Sequence, residues 1–210
     1  MTENNPTDRR TFLKGIGVSA LGLGGAMAAS GLAAAQESLD VWVTHEGTEW
    51  DDPAGPASYN LDYEDGGTVS GSVSPSELDY SSESEYAKLQ DFSVENTGSG
   101  DDHCKVLFEH SPKSTLSTTV DGKATVKGVN GSSLYYELHI VEGGDIQIID
   151  NDELVPESVE ESPRANAGKV GYGRVHGGKI DEWDVEGQFE AIRVYNVTAG
   201  AGIDITRDLF

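Results

Sequence analysis

Residue types that ligate transition metals are grouped in one short segment, Asp101-Asp102-His103-Cys104, and His110 follows it in the chain. Carboxylate, imidazole and thiolate side chains are the usual ligands of such metals, which makes the segment a candidate metal site. The alternative is a turn that leads into a strand, with Cys104 as a small buried apolar side chain. An intervening strand would carry His110 away from the other ligands. We therefore predict the turn and the strand, and we leave the metal unassigned.

A second histidine segment, His45-Glu46-Gly47-Thr48-Glu49, is close to the zinc-protease signature His-Glu-x-x-His. That signature needs both histidines on one face of a helix, where they bind the metal together. Here the last position is Glu49, and Gly47 lies where a predicted strand passes into a loop. The chain also lacks the linear patterns of a nucleophile elbow and of a phosphate-binding loop. These motifs therefore predict no catalytic residue.

Acidic clusters offer oxygen ligands of the kind that Ca²⁺ prefers. They consist of Asp51, Asp52, Asp150, Asp152 and Glu153. Because the chain contains 37 acidic residues, clusters of this size arise by chance, and solvated loops are the favoured interpretation. We predict no cofactor, and calcium stays open as the alternative.

Four aromatic residues lie close together in the sequence, Trp42, Trp50, Tyr59 and Tyr63. Aromatic rings on a protein surface can form a platform for carbohydrate, whereas rings in the interior supply a large buried apolar area. Because Trp42 alternates with Val41 and Val43, its side chain could point to either face of a strand. We expect core packing for this group.

The elements that must position these residues are short strands. Leu39 to His45 and Trp183 to Phe189 alternate apolar and polar residues, which is the period of a strand. We count about ten to twelve such segments, and none repeats its apolar residues with the period of a helix. Short strands separated by glycine-rich turns predict an all-β fold, an antiparallel β-sandwich or jelly roll, in a single domain over residues 36–210.

Two hairpins are predicted within this pattern. Asp121-Gly122 lies between β-branched stretches in Leu116–Val126, and Asp-Gly suits the two positive-φ positions of a type I′ turn. Leu134–Val141 and Ile146–Ile149 flank Gly143-Gly144 and form the second hairpin. The acidic stretch 150–167, with two prolines, is interpreted as a long surface loop.

The charge of the chain is strongly negative, with a formal net charge of −23. Removing residues 1–35 takes away two acids and three bases, which leaves 35 acids against 11 bases and a net charge of −24 on the remainder. Binding to nucleic acid needs a basic surface, so nucleic acid is excluded as a partner, and an anionic membrane surface is excluded for the same reason. The aromatic content and patterned apolar runs favour a folded protein over a disordered one. Concentrated salt would screen the self-repulsion of such a fold.

The first residues form an export pattern. Arg9 and Arg10 are followed by Phe12 and Leu13 and then by an uncharged, glycine-rich stretch. This resembles a twin-arginine (Tat) signal peptide. The resemblance implies transport by the Tat translocase as a transient partner. Together with the low lysine content and the acid excess, it resembles secreted proteins of haloarchaea.

The Ala-x-Ala pattern formed by Ala33 and Ala35 marks a cleavage site, so the mature chain is expected to begin at Gln36. The alternative is a membrane anchor, because the stretch 15–35 is just long enough to cross a bilayer. Its many Gly and Ala residues make it only weakly apolar, and removal is therefore the favoured interpretation. We expect a mature protein that does not span the membrane and lies outside the cell or on its surface.

Three further features bear on the expectation of an exported protein. Asn130-Gly131-Ser132 and Asn196-Val197-Thr198 are acceptor patterns for N-glycosylation, and Asn130, in a predicted turn, is the better candidate. Cys104 is the only cysteine, so no intramolecular disulfide can form. The segment Phe92 to Ser99 resembles the strand-to-turn segment of secreted Ig-like and TasA-like sandwich domains, which implies a sandwich and no activity.

The sequence therefore favours a secreted or cell-surface β-sandwich module with a structural, adhesive or ligand-binding role and no enzymatic activity. The first alternative is an extracellular hydrolase that uses paired carboxylates, for example on polysaccharide, because that chemistry has no linear motif. The second alternative is a subunit of a surface filament joined by strand exchange.

Overall fold

The computed structural model describes residues 39–48, 52–63, 67–83, 89–110, 121–131, 133–150, 158–164 and 167–209. Every regular element within these ranges is a β-strand. The strands are β1 (Leu39–Gly47), β2 (Ala57–Tyr63), β3 (Thr68–Val73), β4 (Leu78–Glu83), β5 (Leu89–Asn96), β6 (His103–His110), β7 (Asp121–Val129), β8 (Leu134–Val141), β9 (Asp145–Asp150), β10 (Ser158–Glu161), β11 (Ala167–Val175), β12 (Ile180–Glu186), β13 (Phe189–Thr198) and β14 (Gly202–Leu209).

The strands form two antiparallel sheets of seven strands each. Sheet A has the order β10-β11-β8-β13-β6-β1-β4, and sheet B has the order β3-β2-β5-β14-β7-β12-β9. Among the described strands, only β2–β3 and β10–β11 pair with the next strand in the sequence. The chain otherwise passes from one sheet to the other, and β13 and β14 occupy the two central positions. The all-β sandwich expected from the sequence is confirmed.

Side chains from the two sheets meet in one core. The rings of Phe92 in sheet B and Phe108 in sheet A have centroids 5.6 Å apart. Tyr136 in sheet A and Trp183 in sheet B make a T-shaped contact at 6.2 Å. The alternation of buried and partly exposed residues along β2 and β12 gives each strand one face to this core. Burial of apolar area between the sheets is therefore what joins them.

The number of strands exceeds the ten to twelve expected from the sequence. Strands β2, β4 and β10 lie in stretches that the sequence analysis left unassigned or interpreted as loop. In β2 the buried positions are Ala57, Tyr59, Leu61 and Tyr63, which is a period-2 pattern of mixed size. Strand β10, Ser158–Glu161, has four residues and lies at the edge of sheet A, where one pairing partner is enough to hold it.

Both predicted hairpins are wrong in their pairing. Asp121 and Gly122 lie inside β7, opposite Glu186 and Val185 of β12, and Gly122 is absent from the positive-φ glycines. Because β7 is hydrogen-bonded along its length to β12 on one side and β14 on the other, tertiary pairing overrides the local preference of Asp-Gly for a turn. Residues 111–120, the other half of that hairpin, lie outside the described residues.

Strands β8 and β9 are connected by a tight turn but belong to different sheets. Gly143 has φ of 86°, and Gly144 N–H donates to the Val141 carbonyl at 3.0 Å. Ile140 before the turn and Ile146 after it both enter the core. Crossing between the sheets lets both strands bury their apolar faces, whereas a hairpin would put them side by side in one sheet.

A buried hydrogen-bond chain links the sheets at Tyr136. Its hydroxyl donates to Asp181 Oδ2 at 2.7 Å and accepts from Trp183 Nε1 at 2.9 Å. All three side chains are fully buried. Gly173, on β11, makes room for the ring, because a Cβ atom at this position would overlap the Tyr136 phenol. Hydrogen bonding to the buried carboxylate offsets the cost of enclosing it.

We expect Gly173→Ala to lower the free energy of unfolding by about 2–4 kcal/mol, because overpacking displaces Tyr136 from its two hydrogen bonds. The matched control is Gly168→Ala on the same strand, where the new Cβ would have its nearest neighbours at 3.4 Å, an ordinary contact. Denaturant unfolding at fixed salt measures both variants. Equal losses in the two variants would contradict the role assigned to Gly173.

His110 is buried at the end of β6. Its Nδ1 lies 3.1 Å from the Phe189 carbonyl oxygen, and its ring makes an edge contact with Phe108 at 4.6 Å. Burial lowers the pKa of His110 to about 4, and the hydrogen bond to Phe189 only partly opposes that effect. Burial also lowers the pKa of His45. Both histidines are therefore neutral in the folded protein at pH 7.

The depressed pKa of His110 predicts acid sensitivity. Between pH 6.5 and about 4 the unfolded chain binds a proton that the folded chain does not, so stability is present above pH 6.5 and is lost as the pH falls. The loss from this group is roughly 3 kcal/mol. His110→Asn can keep a donor toward Phe189 but does not titrate, so its stability should vary less over this range. Unfolding curves with the same slope against pH in both proteins would contradict this assignment.

Candidate functional site

The metal-ligand segment does not assemble into one site. Cys104 is fully buried in the core, and burial raises the pKa of its thiol to about 12. His103 lies at one end of β6, with Nδ1 2.9 Å from Asn196 Oδ1, while His110 lies at the opposite end of the same strand. The predicted turn and strand are therefore present, and the strand separates the two histidines.

The described part of the zinc-protease-like segment, His45 to Thr48, is not helical. His45 lies on β1, where its Nε2 is 2.8 Å from the Gly55 carbonyl oxygen and its Nδ1 accepts from Gly47 N–H at 3.0 Å. Both ring nitrogens are thus used to hold the loop that follows the strand.

The candidate calcium ligands that the structure describes lie at the surface. Asp52 is exposed and lies 3.7 Å from His103 Nδ1, and Asp150 is exposed at the end of β9. Asp51, Asp152 and Glu153 lie outside the described residues. Within the described ranges, no group of three or more His, Cys, Asp or Glu residues is arranged to hold a metal ion.

One surface depression of about 270 Å³ lies where β7, β9 and β12 meet. Its lining combines four acids with Gln147 and two aliphatic residues, and it has no aromatic wall; the acids are Asp121, Asp145, Asp184 and Glu186. A paired-carboxylate hydrolase needs two carboxyl groups on either side of the scissile bond, and the lining of this depression supplies carboxylates without an aromatic ring to stack on a sugar.

The described members of the aromatic group are divided between the core and the outer face of sheet A. Tyr59 and Tyr63 are buried in the core, as expected. Trp42 is half-buried on the outer face of sheet A, opposite Glu109 of β6, so the expectation of core packing is wrong for this residue. Trp50 lies outside the described residues.

The two glycosylation candidates differ in their surroundings. Asn130 is exposed at a positive-φ position, and its Nδ2 donates to the Gly200 carbonyl at 3.2 Å. Asn196 is half-buried in a bulge of β13, and its Nδ2 donates to the Ser133 carbonyl at 2.8 Å. The nitrogen that would carry a glycan is more enclosed at Asn196, which agrees with the preference for Asn130. The export and cleavage residues Arg9, Arg10, Phe12, Leu13, Ala33 and Ala35 lie outside the described residues.

The outer face of sheet A has a composition of its own. Residues directly opposite each other in an antiparallel sheet project to the same side, so the strand register defines its rows. The central row across five strands is Tyr172, Glu137, Arg193, Leu107 and Thr44. The adjacent rows are Val170, His139, Ala191, Glu109 and Trp42 on one side, and Arg174, Tyr135 and Tyr195 on the other. We call this surface the network face.

An ionic chain runs along the network face. Arg193 Nε donates to Glu46 Oε2 at 2.8 Å, and Arg193 Nη1 donates to Glu137 Oε2 at 2.8 Å. His139 Nε2 lies 3.0 Å from the same Glu137 oxygen, and His139 Nδ1 lies 2.8 Å from Ser162 Oγ. Four side chains from three strands are thus connected to a serine in the loop before β11.

The charged side chains of this ionic chain stabilise each other. Burial by itself would raise the pKa of Glu137, but the hydrogen bond with His139 and the charge of Arg193 outweigh it and lower the pKa below its usual value. Burial would lower the pKa of Arg193, and the charges of Glu46 and Glu137 reverse that effect and raise it. Glu137 is therefore an ionised carboxylate at neutral pH.

Arg164 fixes the loop that carries Ser162. Its Nε donates to Glu190 Oε2 at 2.7 Å, and its Nη2 donates to Glu109 Oε1. The Arg164 N–H donates to Ser162 Oγ at 3.2 Å, and the Ser162 N–H donates to the Gly168 carbonyl at 2.9 Å. The loop is therefore tied to β6, β13 and β11.

A ladder of rings and cations forms the third row of the network face. The rings of Tyr135 and Tyr195 stack with centroids 5.3 Å apart. Arg174 lies over Tyr135 at 5.5 Å, and Lys105 lies over Tyr195 at 5.8 Å. The stacked rings and the two cations therefore stabilise one another along this row.

The outer face of sheet B differs from the network face. Its rows, read from the same kind of register, contain small polar and acidic residues such as Thr68, Asp62, Asp91, Thr206 and Thr125. Three of the four described arginines, Arg164, Arg174 and Arg193, lie on the network face. The outer face of sheet B includes the ion pair of Lys123 with Glu182 among its polar residues, whereas the network face combines paired arginines with aromatic rings.

Sequence reasoning missed the network face because its partners are distant in the chain. The alternation in β8 does put Tyr135, Glu137 and His139 on one side of a strand, and that signal is readable. Nothing local pairs Glu137 with Arg193, or His139 with Ser162, since the β8–β13 pairing and the loop before β11 bring them together.

Within the described residues, no helix is long and apolar enough to cross a membrane. Comparisons with known protein families, with curated proteins and with solved structures find no match for the chain.

Proposed function

We propose that this protein is a module exported by a halophilic archaeon to the cell surface or the medium, with a structural, adhesive or ligand-binding role exerted through the network face. The observation that carries the proposal is the difference between the two outer faces. A sheet face that contacts only solvent needs polar residues at the outward positions of its strands, and it needs neither aromatic rings nor ion-pair networks.

The network face has features of a contact surface. Trp42, Tyr172, Tyr135 and Tyr195 come from four strands and project to one side. Aromatic residues and arginine are enriched where proteins bind partners, because they combine a large apolar area with polar groups. The ion pairs around Arg193 hold the surrounding side chains in fixed positions, so binding would require little further ordering.

The acidic outer face of sheet B supports the proposal that the protein works in concentrated salt. Asp62 and Asp91 lie directly opposite each other on neighbouring strands, and like charges in such pairs repel. Burial and the nearby Asp91 and Glu95 carboxylates raise the pKa of Asp204, although Lys127 partly opposes them. Concentrated salt screens this repulsion, because the screening length falls to about 3 Å at 1 M.

The alternative functions have weaker support. The acid-lined depression offers carboxylates for a hydrolase but no aromatic wall to hold a sugar. Strand addition in a filament needs a regular free edge. The edge strand β9 has a register shift opposite Glu182 and Trp183, and β10 has only four residues, whereas the edge strands β3 and β4 pair regularly over six residues. Bulges and short edge strands are devices that oppose pairing with another chain.

Contact through the network face can be tested with cell envelopes of the producing organism at high salt. We expect the secreted protein to sediment with the envelopes, and Tyr172→Ala and Trp42→Ala each to weaken binding about tenfold, the loss of one aromatic contact of about 1.4 kcal/mol. The matched control is Ile180→Ala, which removes an exposed apolar side chain from the outer face of sheet B. Equal binding by all four proteins would contradict a role for this face.

Export can be tested separately by Arg9→Lys combined with Arg10→Lys. Lysine keeps the charge but lacks the planar guanidinium, so a translocase that recognises arginine should leave the protein inside the cell. The control is Lys14→Arg, which keeps the arginine pair. Fractionation of cells and medium measures the outcome, and full export of the double variant would refute the Tat route.

A further inference from the structure

Ser162, His139 and Glu137 have the geometry of a proton relay. Ser162 Oγ lies 2.8 Å from His139 Nδ1, and His139 Nε2 lies 3.0 Å from Glu137 Oε2. These are the distances that join a nucleophile to its base and the base to the group that orients it. The three residues come from β8 and from the loop before β11, so no linear sequence motif identifies them.

We propose that Ser162 is a nucleophile toward activated acyl esters, with His139 as its general base and Glu137 as the residue that orients the imidazole. This adds an activity to the proposed binding role. The two proposals rest on different observations and are tested separately. It also differs from the hydrolase expected as an alternative from the sequence, which would use two carboxylates.

The hydrogen bonds determine where the protons lie. An ionised Glu137 can only accept, so His139 Nε2 must carry the hydrogen of that bond. In the neutral ring, Nδ1 then has a free lone pair, and the Ser162 hydroxyl donates to it. This tautomer is the one that can remove the serine proton.

The surroundings suit such a pair. His139 is 1% exposed, so its ring is shielded from water and held in one orientation. Ser162 is half-buried at the surface, where a substrate can reach it. Arg193 is bound to Glu137 and Glu46, which keeps the carboxylate in place beside His139.

The reaction follows from these positions. Ser162 Oγ attacks the ester carbonyl carbon while its proton passes to His139 Nδ1, and the carbonyl π electrons move to oxygen. The tetrahedral intermediate collapses, the bond to the alkoxy oxygen breaks, and the leaving group takes the proton from Nδ1 as an alcohol. Water then attacks the acyl-serine with the same proton relay, which releases the carboxylic acid and restores Ser162.

One described backbone donor lies near the reacting atom. The Arg164 N–H donates to Ser162 Oγ at 3.2 Å, so it positions the nucleophile and is not aimed at an oxyanion on the attached carbon. With no oxyanion donor assigned, the expected substrates are esters with good leaving groups, such as p-nitrophenyl acetate, rather than amides.

The test uses the full secreted protein and a fluorophosphonate probe. Attack by Ser162 would displace fluoride and leave a phosphonyl adduct that mass spectrometry places on one residue. We expect the adduct on Ser162 and its loss in Ser162→Ala. His139→Gln can keep hydrogen bonds to both neighbours but cannot act as a base, so labelling should slow by at least about 100-fold. Ser99→Ala, at an exposed serine in a turn, is the matched control and should label as the parent does.

Glu137 is tested by comparing two variants. Glu137→Gln should slow labelling, and Glu137→Asp should restore part of the rate, a pattern that a general loss of structure would not produce. The proposal is overturned if the folded parent protein shows no adduct at Ser162, or if His139→Gln labels as fast as the parent. Binding to cell envelopes is measured independently, so either proposal can fail without the other.

Discussion

The pairing of the last two strands at the centre of both sheets is the constraint on which the rest of the structure depends. Strand β13 lies between β6 and β8, and β14 lies between β5 and β7. Ile192 of β13 is opposite Phe108 on one side and Leu138 on the other. Until these strands are in place, each sheet is split into two halves whose apolar faces are exposed. The core and the network face are therefore completed together, by residues from the end of the chain.

This arrangement explains how a chain without a disulfide forms a stable domain. Each sheet buries one face against the other, and the Tyr136–Asp181–Trp183 hydrogen bonds connect the sheets inside the core. Pairings between strands that are far apart in sequence make folding slow, since loop closure precedes the gain from contacts. The proposed twin-arginine route, which exports proteins already folded, would suit such a topology.

The treatment of charge differs between the two outer faces. On sheet B, Asp62 and Asp91 face each other, and Asp62 accepts hydrogen bonds from Asn60 and Thr68. On sheet A, Glu46 and Glu137 are paired with Arg193, and Glu109 and Glu190 are paired with Arg164. Partly buried pairs of this kind hold side chains in defined positions.

The amino-acid sequence by itself determined the class of the fold. Period-2 alternation in segments such as Trp183–Phe189, and the lack of any helical period, are local properties, because a strand presents alternate residues to its two sides whatever its partners. The acid excess and the signal pattern are also local. The missed strand β2 shows the limit of this local pattern as a predictor of strands. Its buried positions include both Ala57 and Tyr63, and side chains of such different size make the alternation hard to recognise in the sequence.

Only the tertiary structure decided which strands pair and which residues meet. Asp121-Gly122 prefers a turn in isolation, yet two neighbouring strands extend it into a ladder, since hydrogen bonds along a whole strand outweigh one turn preference. Trp42 could face either side, and the register of β1 with β6 placed it on the network face. His139 and Ser162 are separated by 23 positions, and their contact arises where the loop before β11 folds back over β8. Strand alternation is written into each segment, whereas these contacts depend on long-range pairing that no segment contains.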